Sequence, residues 1–291
     1  MRLTNLSCWL CACACLCVFL AAGTARAEHP MARYNVVWDS ASKDASGQMP
    51  LGNGDIAAGV YAIQDGDLYL LLAKNDAYTY NGDIFKTGRV RVRLSPNPFA
   101  AGKPFRQALD LPTGSILIEA GGVSVRVWAD ANRNVFHVQI DSPQEIAVAA
   151  APEFWKRFDD CRFNTSRAPI DPPTQDTRAD RDGKIIWYYG VGDRSVFPAE
   201  MKYYDVEQMI GKFPDPYRFN TFGNLVEAPG LTLTGGELTG RGRSFDIRIH
   251  SMCRQIPKAD DWVAAIEREA ARPVDAKKDW AEHCRWWSAF W

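Results

Sequence analysis

Residues 49–55 read MPLGNGD, and residues 56–61 continue as IAAGVY. The two glycines on either side of Asn53 accept positive φ angles, so the backbone turns sharply here and presents Asn53 and Asp55 to solvent or to a ligand. A turn of this type at the start of a strand is more often scaffold than binding site. The stretch therefore predicts a loop that leads into a β-strand, and its surroundings decide whether it has a function.

The residues that follow have the two-residue period of β-strands. Residues 56–63 and 67–74 are apolar runs separated by Asp65-Gly66, a pair that favours a tight hairpin turn. Residues 88–94 alternate basic and apolar side chains. The same period recurs at residues 115–119, 123–128, 135–140 and 145–151. Short strands with Gly, Asp or Pro turns between them, and no alternating helices, predict an all-β antiparallel sandwich.

The second half of the chain continues this pattern with one interruption. Residues 152–183 are rich in Asp and Pro and are expected to form an excursion loop over the sandwich surface. A second Gly-Asn turn is expected at Gly223-Asn224. Further strands are expected at residues 184–190, 201–209, 231–238 and 244–251.

The period changes to that of helices after residue 255. Asp260-Asp261 is expected to cap a first helix that Arg272-Pro273 ends. Residues 275–291 predict a second helix with a stripe of large side chains on one face. The stripe consists of Trp280, Cys284, Trp287 and Trp291. Because an aromatic patch of this size marks an interface or an unfinished domain, we expect that the sequence is cut short or that this tail docks on another chain.

The first residues predict a secretory signal peptide. An apolar run at residues 6–22 precedes the small-residue site at residues 25–27, so cleavage is expected after Ala27 and the mature protein is expected to be secreted or periplasmic. A membrane-spanning helix is the main alternative, but the run is shorter than the roughly 20 residues that a bilayer requires. A lipoprotein signal around Cys11 is a weaker alternative. No membrane association is expected after cleavage.

Charge and cysteine content exclude several classes of protein. Loss of Arg2 and Arg26 with the leader takes the formal net charge from −1 to −3, and the remaining basic residues are scattered, so no nucleic-acid partner is expected. Five of the 8 cysteines lie in the leader. Cys161, Cys253 and Cys284 remain and are expected to be buried thiols, although the spacing leaves open a single disulfide of undetermined pairing.

No motif marks an independent catalytic or metal site. The 4 histidines lack metal-ligand spacing, and the chain has no nucleophile elbow, phosphate loop or dinucleotide fingerprint, so no metal or cofactor is expected. Glycoside hydrolysis requires two carboxyl groups in different protonation states. Six acidic residues in predicted loops or at strand ends are available, but none carries the mark of a catalytic acid: Asp39, Asp55, Asp76, Glu153, Asp193 and Glu227. No catalytic residue is therefore assigned.

Several stretches resemble a known family. Residues 34–54 are similar to the N-terminal domain of glycoside hydrolases related to family 95, the α-L-fucosidases, and more closely to the secreted bacterial proteins grouped as domain of unknown function 5703. The other matching stretches are KNDA at 74–77, GRVRV at 88–92, LSPNP at 94–98, FGNLVE at 222–227, and residues 283–291. The resemblance covers nearly the whole mature chain.

This resemblance implies a three-part organisation of a longer protein. Residues 28–255 would form a β-super-sandwich of the galactose mutarotase-like type, and residues 256–291 would form linker helices that lead to an (α/α)6 barrel absent from this chain. The acid and base of glycosidic cleavage would lie in that barrel. The fucosidase segment Asn-Glu-Asp-x-x-Trp corresponds here to residues 74–78, which read KNDAY, so fucose specificity does not follow.

Three functions are compatible with the sequence. In the leading hypothesis the domain is a non-catalytic sandwich that lends polar loops to one rim of a sugar site in the barrel, because amides and carboxylates bond hydroxyls and aromatic rings stack on sugars. The residues assigned to that rim, or to contacts between the two domains, are Asn53, Asp55, Asn75, Asp76 and Tyr78.

The other two hypotheses do not require a barrel. One is a free-standing carbohydrate-binding or mutarotase-like module, in which His137 or His250 with Glu227 would supply the acid and the base. The other is a docking protein whose C-terminal helix binds a partner chain.

Overall fold

The structure is a computed structural model that describes residues 29–153 and 176–291. Its 14 described strands form one continuous antiparallel sheet that folds over on itself as a sandwich, which confirms the predicted all-β class. The strands are β1 Val36–Trp38, β2 Met49–Gly52, β3 Ile56–Ala62, β4 Asp67–Tyr78, β5 Ile84–Ser95, β6 Phe105–Asp110, β7 Ser115–Ala120, β8 Val123–Ala129, β9 Val135–Glu153, β10 Thr177–Arg178, β11 Ile185–Gly190, β12 Asn220–Glu227, β13 Thr232–Thr234 and β14 Glu237–Gln255.

Two long strands connect the layers of the sandwich. β9 and β14 each have 19 residues and pair with each other along most of their length. The first half of β9 also pairs with β8, whereas its second half pairs with β5. The first layer therefore has the order β1-β6-β7-β8-β9-β14-β12-β11-β10, and the second continues from the far half of β9 through β5, β4, β3 and β2.

A bend in the long pair allows it to serve both layers. The register of β9 against β14 shifts between Gly242 and Ser244, opposite residues 142–145 of β9. Ser142-Pro143 therefore bends one continuous strand instead of turning the chain into a new strand. Side chains of both layers meet inside, where the even-numbered leucines of β4 and the apolar positions of β5 are fully buried.

Three local predictions are wrong for identifiable reasons. β4 continues to Tyr78, so Asn75, Asp76 and Tyr78 lie at the end of a strand and not in a loop. Gly223 lies inside β12, where the close approach of β11 leaves no room for a side chain: a Cβ there would sit 2.1 Å from the Trp187 carbonyl oxygen. Residues 201–209 are not extended: residues 201–203 end a short α-helix that has Pro198 in its first turn, and residues 207–209 form a separate 3-10 helix.

Three α-helices lie in the described part of the chain: α1 Phe197–Tyr203, α2 Ala259–Ala270 and α3 Ala276–Phe290. α2 packs Trp262 and Ile266 on the outer face of β12 and β14. Asp260 and Asp261 lie in its first turn, where their negative charges interact favourably with the positive end of the helix dipole. The N-cap residue is Lys258 and not an aspartate. Asp275 caps α3 by accepting a hydrogen bond from the Lys278 N–H at 3.1 Å.

His283 anchors α3 to the sandwich. Its side chain is fully buried, its Nδ1 accepts from the Ala131 N–H at 3.2 Å, and its Nε2 donates to the Thr113 carbonyl at 2.8 Å. An imidazole that accepts at one nitrogen and donates at the other is neutral. Burial lowers the pKa of His283 from 6.5 to about 4, so this arrangement persists at neutral pH.

The aromatic residues of α3 divide between two faces. Trp287 covers Gly114, and the Trp291 indole donates to the Leu111 carbonyl at 2.7 Å. On the other face Trp286 and Phe290 stack with ring centroids 5.4 Å apart and remain 39% and 59% exposed. The tail therefore folds back on its own domain along one face and leaves an aromatic surface on the other. Among the described residues, none of the helices has the length and apolar content to cross a membrane.

We expect His283 to make the domain sensitive to acid. Between pH 6.5 and about 4 the unfolded chain binds a proton that the folded chain does not bind. The free energy of unfolding should therefore be highest above pH 6.5 and fall by up to about 3 kcal/mol as the pH drops toward 4. Urea unfolding at several pH values in this range measures the free energy of unfolding, which should change less steeply with pH for His283→Gln than for the wild type. The control His29→Gln should keep the wild-type slope, and equal slopes for all three proteins would contradict the assignment.

A second expectation concerns the packing of Trp287 against Gly114. Gly114 has φ of 54° and a Cβ there would lie 2.1 Å from the Trp287 ring, whereas Gly235 has φ of 59° and open space around it. Both alanine variants carry the strain of positive φ, but only Gly114→Ala also displaces the indole. We expect Gly114→Ala to lower the free energy of unfolding by about 2 kcal/mol more than Gly235→Ala, with faster proteolysis of α3. Equal losses would show that Trp287 does not hold the helix.

Candidate functional site

A polar cavity of about 390 Å³ lies where the ends of several strands meet α2. Its volume falls within the roughly 300–1,000 Å³ typical of small-molecule pockets. The lining residues are mostly charged or amide side chains: Asp55 before β3, Lys74 and Asp76 on β4, residues 132–135, residues 250–254 on β14, Ile266 and Glu269 on α2, and Arg272.

Asn53 braces the turn that forms one edge of this cavity. Its Oδ1 accepts from the N–H groups of Asp55 at 3.0 Å and Ile56 at 2.9 Å. Its Nδ2 donates to the carbonyls of Asp130 at 2.8 Å and Arg133 at 3.1 Å. The side chain therefore ties the Gly-Asn-Gly turn to the loop after β8, and its hydrogen-bonding groups are already occupied by protein.

Asp55 and Asp76 meet on the ammonium group of Lys74. The Lys74 Nζ lies 2.6 Å from Asp55 Oδ1 and 2.8 Å from Asp76 Oδ1. Lys74 is 5% exposed, whereas the two carboxylates are 40% and 50% exposed and face the cavity. Burial alone would lower the pKa of Lys74, but the two aspartates outweigh it and raise the pKa, so the lysine stays charged. Asp55 Oδ2 also accepts from the Asn134 amide.

The two remaining rim candidates lie outside the cavity. Successive side chains of a strand point to opposite sides, so Lys74 and Asp76 share one side and Asn75 takes the other. Asn75 is exposed and donates to the Gly54 carbonyl at 3.3 Å. Tyr78 is half-buried with its ring centroid 5.9 Å from that of Tyr217. The structure thus brings together Asp55 and Asp76, braced by Asn53, but not Asn75 or Tyr78.

The sequence analysis missed the cationic residues of the cavity. Lys74 was detectable, because it stands two residues before Asp76 in an extended stretch. Arg133, Arg254 and Arg272 come from distant elements, and no local pattern connects them. The Arg272 Nη1 lies 2.9 Å from Glu269 and the Arg254 Nη2 lies 3.7 Å from it. Arg133 donates to the Glu269 carbonyl at 3.2 Å, which joins the loop after β8 to α2.

A chain of paired polar and charged side chains runs along the helix-facing side of β14. His250 Nε2 lies 3.2 Å from Glu227 Oε1. Arg248 lies between Glu227 at 3.4 Å and Asp246 at 3.0 Å. Asp246 Oδ1 lies 3.1 Å from His137 Nδ1. Of the two histidines considered for a partnership with Glu227, the structure pairs His250 with it, and His250 also lines the cavity.

The cysteines of the described residues are free thiols. Cys253 donates to the Asp76 carbonyl at 3.1 Å and to Asn220 Oδ1 at 3.0 Å. Burial raises its pKa to about 12, so it stays protonated and is a poor nucleophile. Cys284 is free and half-buried, and Cys161 lies outside the described residues. Within the described part of the chain, no group of His, Cys, Asp and Glu side chains has the arrangement of a metal site.

Comparison with known proteins identifies one family for this chain. Residues 37–291 match the N-terminal model of a family described as Domain of unknown function (DUF5703). None of the curated proteins matches the chain. A solved structure titled putative kojibiose phosphorylase from human microbiome is 10% identical over 88% of this chain, with a TM-score of 0.41. The chain spans 35% of the length of that protein.

We expect Lys74 to hold this edge of the domain together. Lys74→Met leaves two neighbouring carboxylates without their shared cation and should lower the free energy of unfolding by about 1–3 kcal/mol. Lys86→Met, on the exposed surface of the adjacent β5, is the matched control and should change little. Urea unfolding at pH 7 measures both variants. Equal stability of the two variants would show that the Asp55 and Asp76 carboxylates do not depend on Lys74.

Proposed function

We propose, from the premise that this chain belongs to the DUF5703 family through its N-terminal domain, that it is the accessory sandwich of a secreted carbohydrate-active protein. In this proposal the cavity at Asp55, Lys74 and Asp76 forms one rim of a sugar-binding site. The acid and base of glycosidic cleavage belong to a following barrel domain, in line with the resemblance to family 95 enzymes. The signal peptide at residues 1–27 directs the protein out of the cytoplasm.

The arrangement of Asp55, Lys74 and Asp76 is the observation that carries this proposal. Sugar hydroxyls both donate and accept hydrogen bonds, and the cluster offers carboxylate acceptors beside an ammonium donor. Asp76 Oδ2 has no hydrogen-bond partner among residues 29–153 and 176–291, and the side chain is half exposed to the cavity. A carboxylate held by a buried lysine with its second oxygen open is well suited to bond a ligand hydroxyl.

The exposed face of α3 supports a second role as a domain interface. Trp286 and Phe290 form a stacked aromatic surface, and contiguous exposed aromatic residues mark contacts with other proteins or domains. We assign this face to the barrel that the family resemblance implies. A free-standing carbohydrate-binding module and a docking protein are the competing functions. The coding sequence beyond Trp291 distinguishes the barrel-associated function from these two. Several hundred further residues with helical periodicity support the barrel, and an immediate stop removes it.

Glycan binding tests the cavity. The protein encoded by the complete reading frame should release or absorb heat when titrated calorimetrically with at least one member of a panel of plant and microbial oligosaccharides. Asp76→Asn should weaken that binding about tenfold, because a hydrogen bond to a charged group contributes about 1.5–3 kcal/mol. Asp193→Asn is the control, since Asp193 is exposed and pairs with Arg218 away from the cavity.

Two results would count against the proposal. The absence of any heat across the panel would leave the docking role as the remaining function. Equal affinities for wild type and Asp76→Asn would show that the sugar binds elsewhere on the protein.

A further inference from the structure

Three arginines from separate parts of the chain gather around the end of α2. The Arg272 Nη1 lies 2.9 Å from Glu269 Oε2, and the Arg254 Nη2 lies 3.7 Å from Glu269 Oε1. Arg133, in the loop after β8, donates to the backbone carbonyls of Glu269 at 3.2 Å and Pro273 at 3.5 Å. All three arginines line the polar cavity, and we call them the arginine cluster.

The arginine cluster carries more positive charge than its surroundings neutralise. Within residues 29–153 and 176–291, Glu269 is the only carboxylate in a salt bridge with any of its members. Three positive charges against one negative charge leave an excess of two. The hydrogen bond from Arg272, together with the charges of all three arginines, outweighs burial and holds the pKa of Glu269 below its usual value. The whole chain has a formal net charge of −1, so this positive excess is local.

Most hydrogen-bond donors of the arginine cluster are open to a ligand. A guanidinium group has five N–H donors. In the part of the chain that the structure describes, Arg133 donates from two guanidinium nitrogens, Arg272 from one and Arg254 from none. The side chains of Arg254 and Arg272 are 51% and 60% exposed. The cluster therefore presents positively charged donors to the cavity that protein groups do not occupy.

Stability does not account for the presence of Arg254 beside Arg272. A partly exposed ion pair contributes little to the free energy of unfolding, and two like charges near each other repel. Arg272 alone supplies Glu269 with a hydrogen-bonded cation, whereas Arg254 lies beyond hydrogen-bond distance of the same carboxylate. Arg133 differs from both, because its bonds to two carbonyls join the loop after β8 to α2.

A group of opposite net charge lies next to the arginine cluster in the cavity. The two aspartates on Lys74 carry one more negative charge than the lysine neutralises. Adjacent residues of the loop after β8 contact the two groups, since Asn134 donates to Asp55 Oδ2 and Arg133 donates to the Glu269 carbonyl. An anionic group in the cavity is attracted by the arginines and repelled by the aspartates. The cavity therefore fixes the orientation of a ligand that has an anionic group on one side and hydroxyl groups on the other.

We propose that the cavity binds an acidic sugar residue, with its carboxylate or sulfate group at Arg254 and Arg272 and its hydroxyl groups at the carboxylates held by Lys74. This inference rests on the carbohydrate role proposed for the cavity and adds the class of sugar that it takes. Guanidinium N–H groups form strong, charge-assisted hydrogen bonds with oxyanions. A neutral sugar lacks a partner for these charges, so the cavity selects acidic sugars by charge.

Pairs of ligands that differ only in charge test the proposal. The protein encoded by the complete reading frame is titrated calorimetrically at pH 7 with trimers of galacturonate, glucuronate and mannuronate, and with the neutral methyl ester of each trimer. A second arm compares sulfated galactose oligosaccharides with their desulfated forms. At least one acidic ligand should bind about tenfold more tightly than its neutral form, because hydrogen bonds between charged groups are the stronger ones. The two arms distinguish a carboxylate from a sulfate ester.

Arginine variants locate the anionic group of the ligand. Arg254→Gln and Arg272→Gln should each weaken binding of the acidic ligand about fivefold to tenfold and leave binding of its neutral form unchanged. Arg241→Gln is the matched control, since Arg241 also lies on β14, is 65% exposed and pairs with Glu145 outside the cavity. Circular dichroism should show each variant folded.

Two further measurements separate a binding role from a structural one. Glu269→Gln removes the carboxylate that competes for the guanidinium groups, so it should bind the acidic ligand more tightly than the wild type does. An increase in NaCl from about 0.05 M to about 0.5 M should weaken binding of the acidic ligand but not of its neutral form, because salt screens partly exposed charges. A loss of binding in Glu269→Gln as large as that in Arg272→Gln would contradict the proposal.

The outcomes distinguish this proposal from the previous one. Binding of neutral glycans with equal or lower affinity for the acidic forms overturns the acidic-sugar assignment and leaves the sugar site. Absence of binding to either kind overturns both proposals. Equal affinities of wild type, Arg254→Gln and Arg272→Gln for an acidic ligand show that its anionic group binds elsewhere. If Arg254→Gln does not fold, the ligand pairs on the wild type and Arg272→Gln, on a more exposed residue, still decide.

Discussion

The antiparallel pairing of β9 with β14 is the constraint on which the whole domain depends. These two strands are the only described elements that belong to both layers, and the remaining strands attach to one half or the other. The position of the bend at residues 142–145 therefore sets how the layers face each other. The same pair also determines where the cavity lies, because the final residues of β14 extend past the sandwich core and contact α2 and the turn before β3.

Several paired polar side chains lie on the face of β14 that is opposite the apolar core. The inner face of β14 carries Phe245, Ile247 and Ile249 into the apolar core. Its other face carries Asp246, Arg248 and His250, which the strand period places side by side. Paired in this way, the charges avoid the cost of an isolated buried ion, although each depends on its neighbour. His137, whose ring centroid lies 4.1 Å from that of Trp128, ends this chain of paired side chains beside the aromatic residues that contact α3.

Strand alternation and helix signals made most of the fold predictable, whereas the site was predictable only in part. The alternating arginines of β5 and the hairpin at Asp65-Gly66 are local features that tertiary packing reinforces. The prediction of a turn at Gly223 was wrong because glycine is found both in turns and where two strands approach closely. Only the position of the partner strand distinguishes the two cases. Asp55 and Asp76 were found from neighbouring residues. His250, Arg254 and Glu269 join them only through strand register and helix docking, which no single stretch of sequence encodes.

The indole rings that seat α3 also make the domain optically distinctive. Trp128 of β8 and Trp280 of α3 lie with ring centroids 5.3 Å apart at 70°, and Trp286 and Trp287 lie 5.0 Å apart at 79°. Transition dipoles at such short separations and oblique angles couple as excitons and give a paired positive and negative band in circular dichroism. Because one partner of the first pair belongs to the sheet and the other to the helix, that couplet reports directly on whether the helix is seated, without any introduced label.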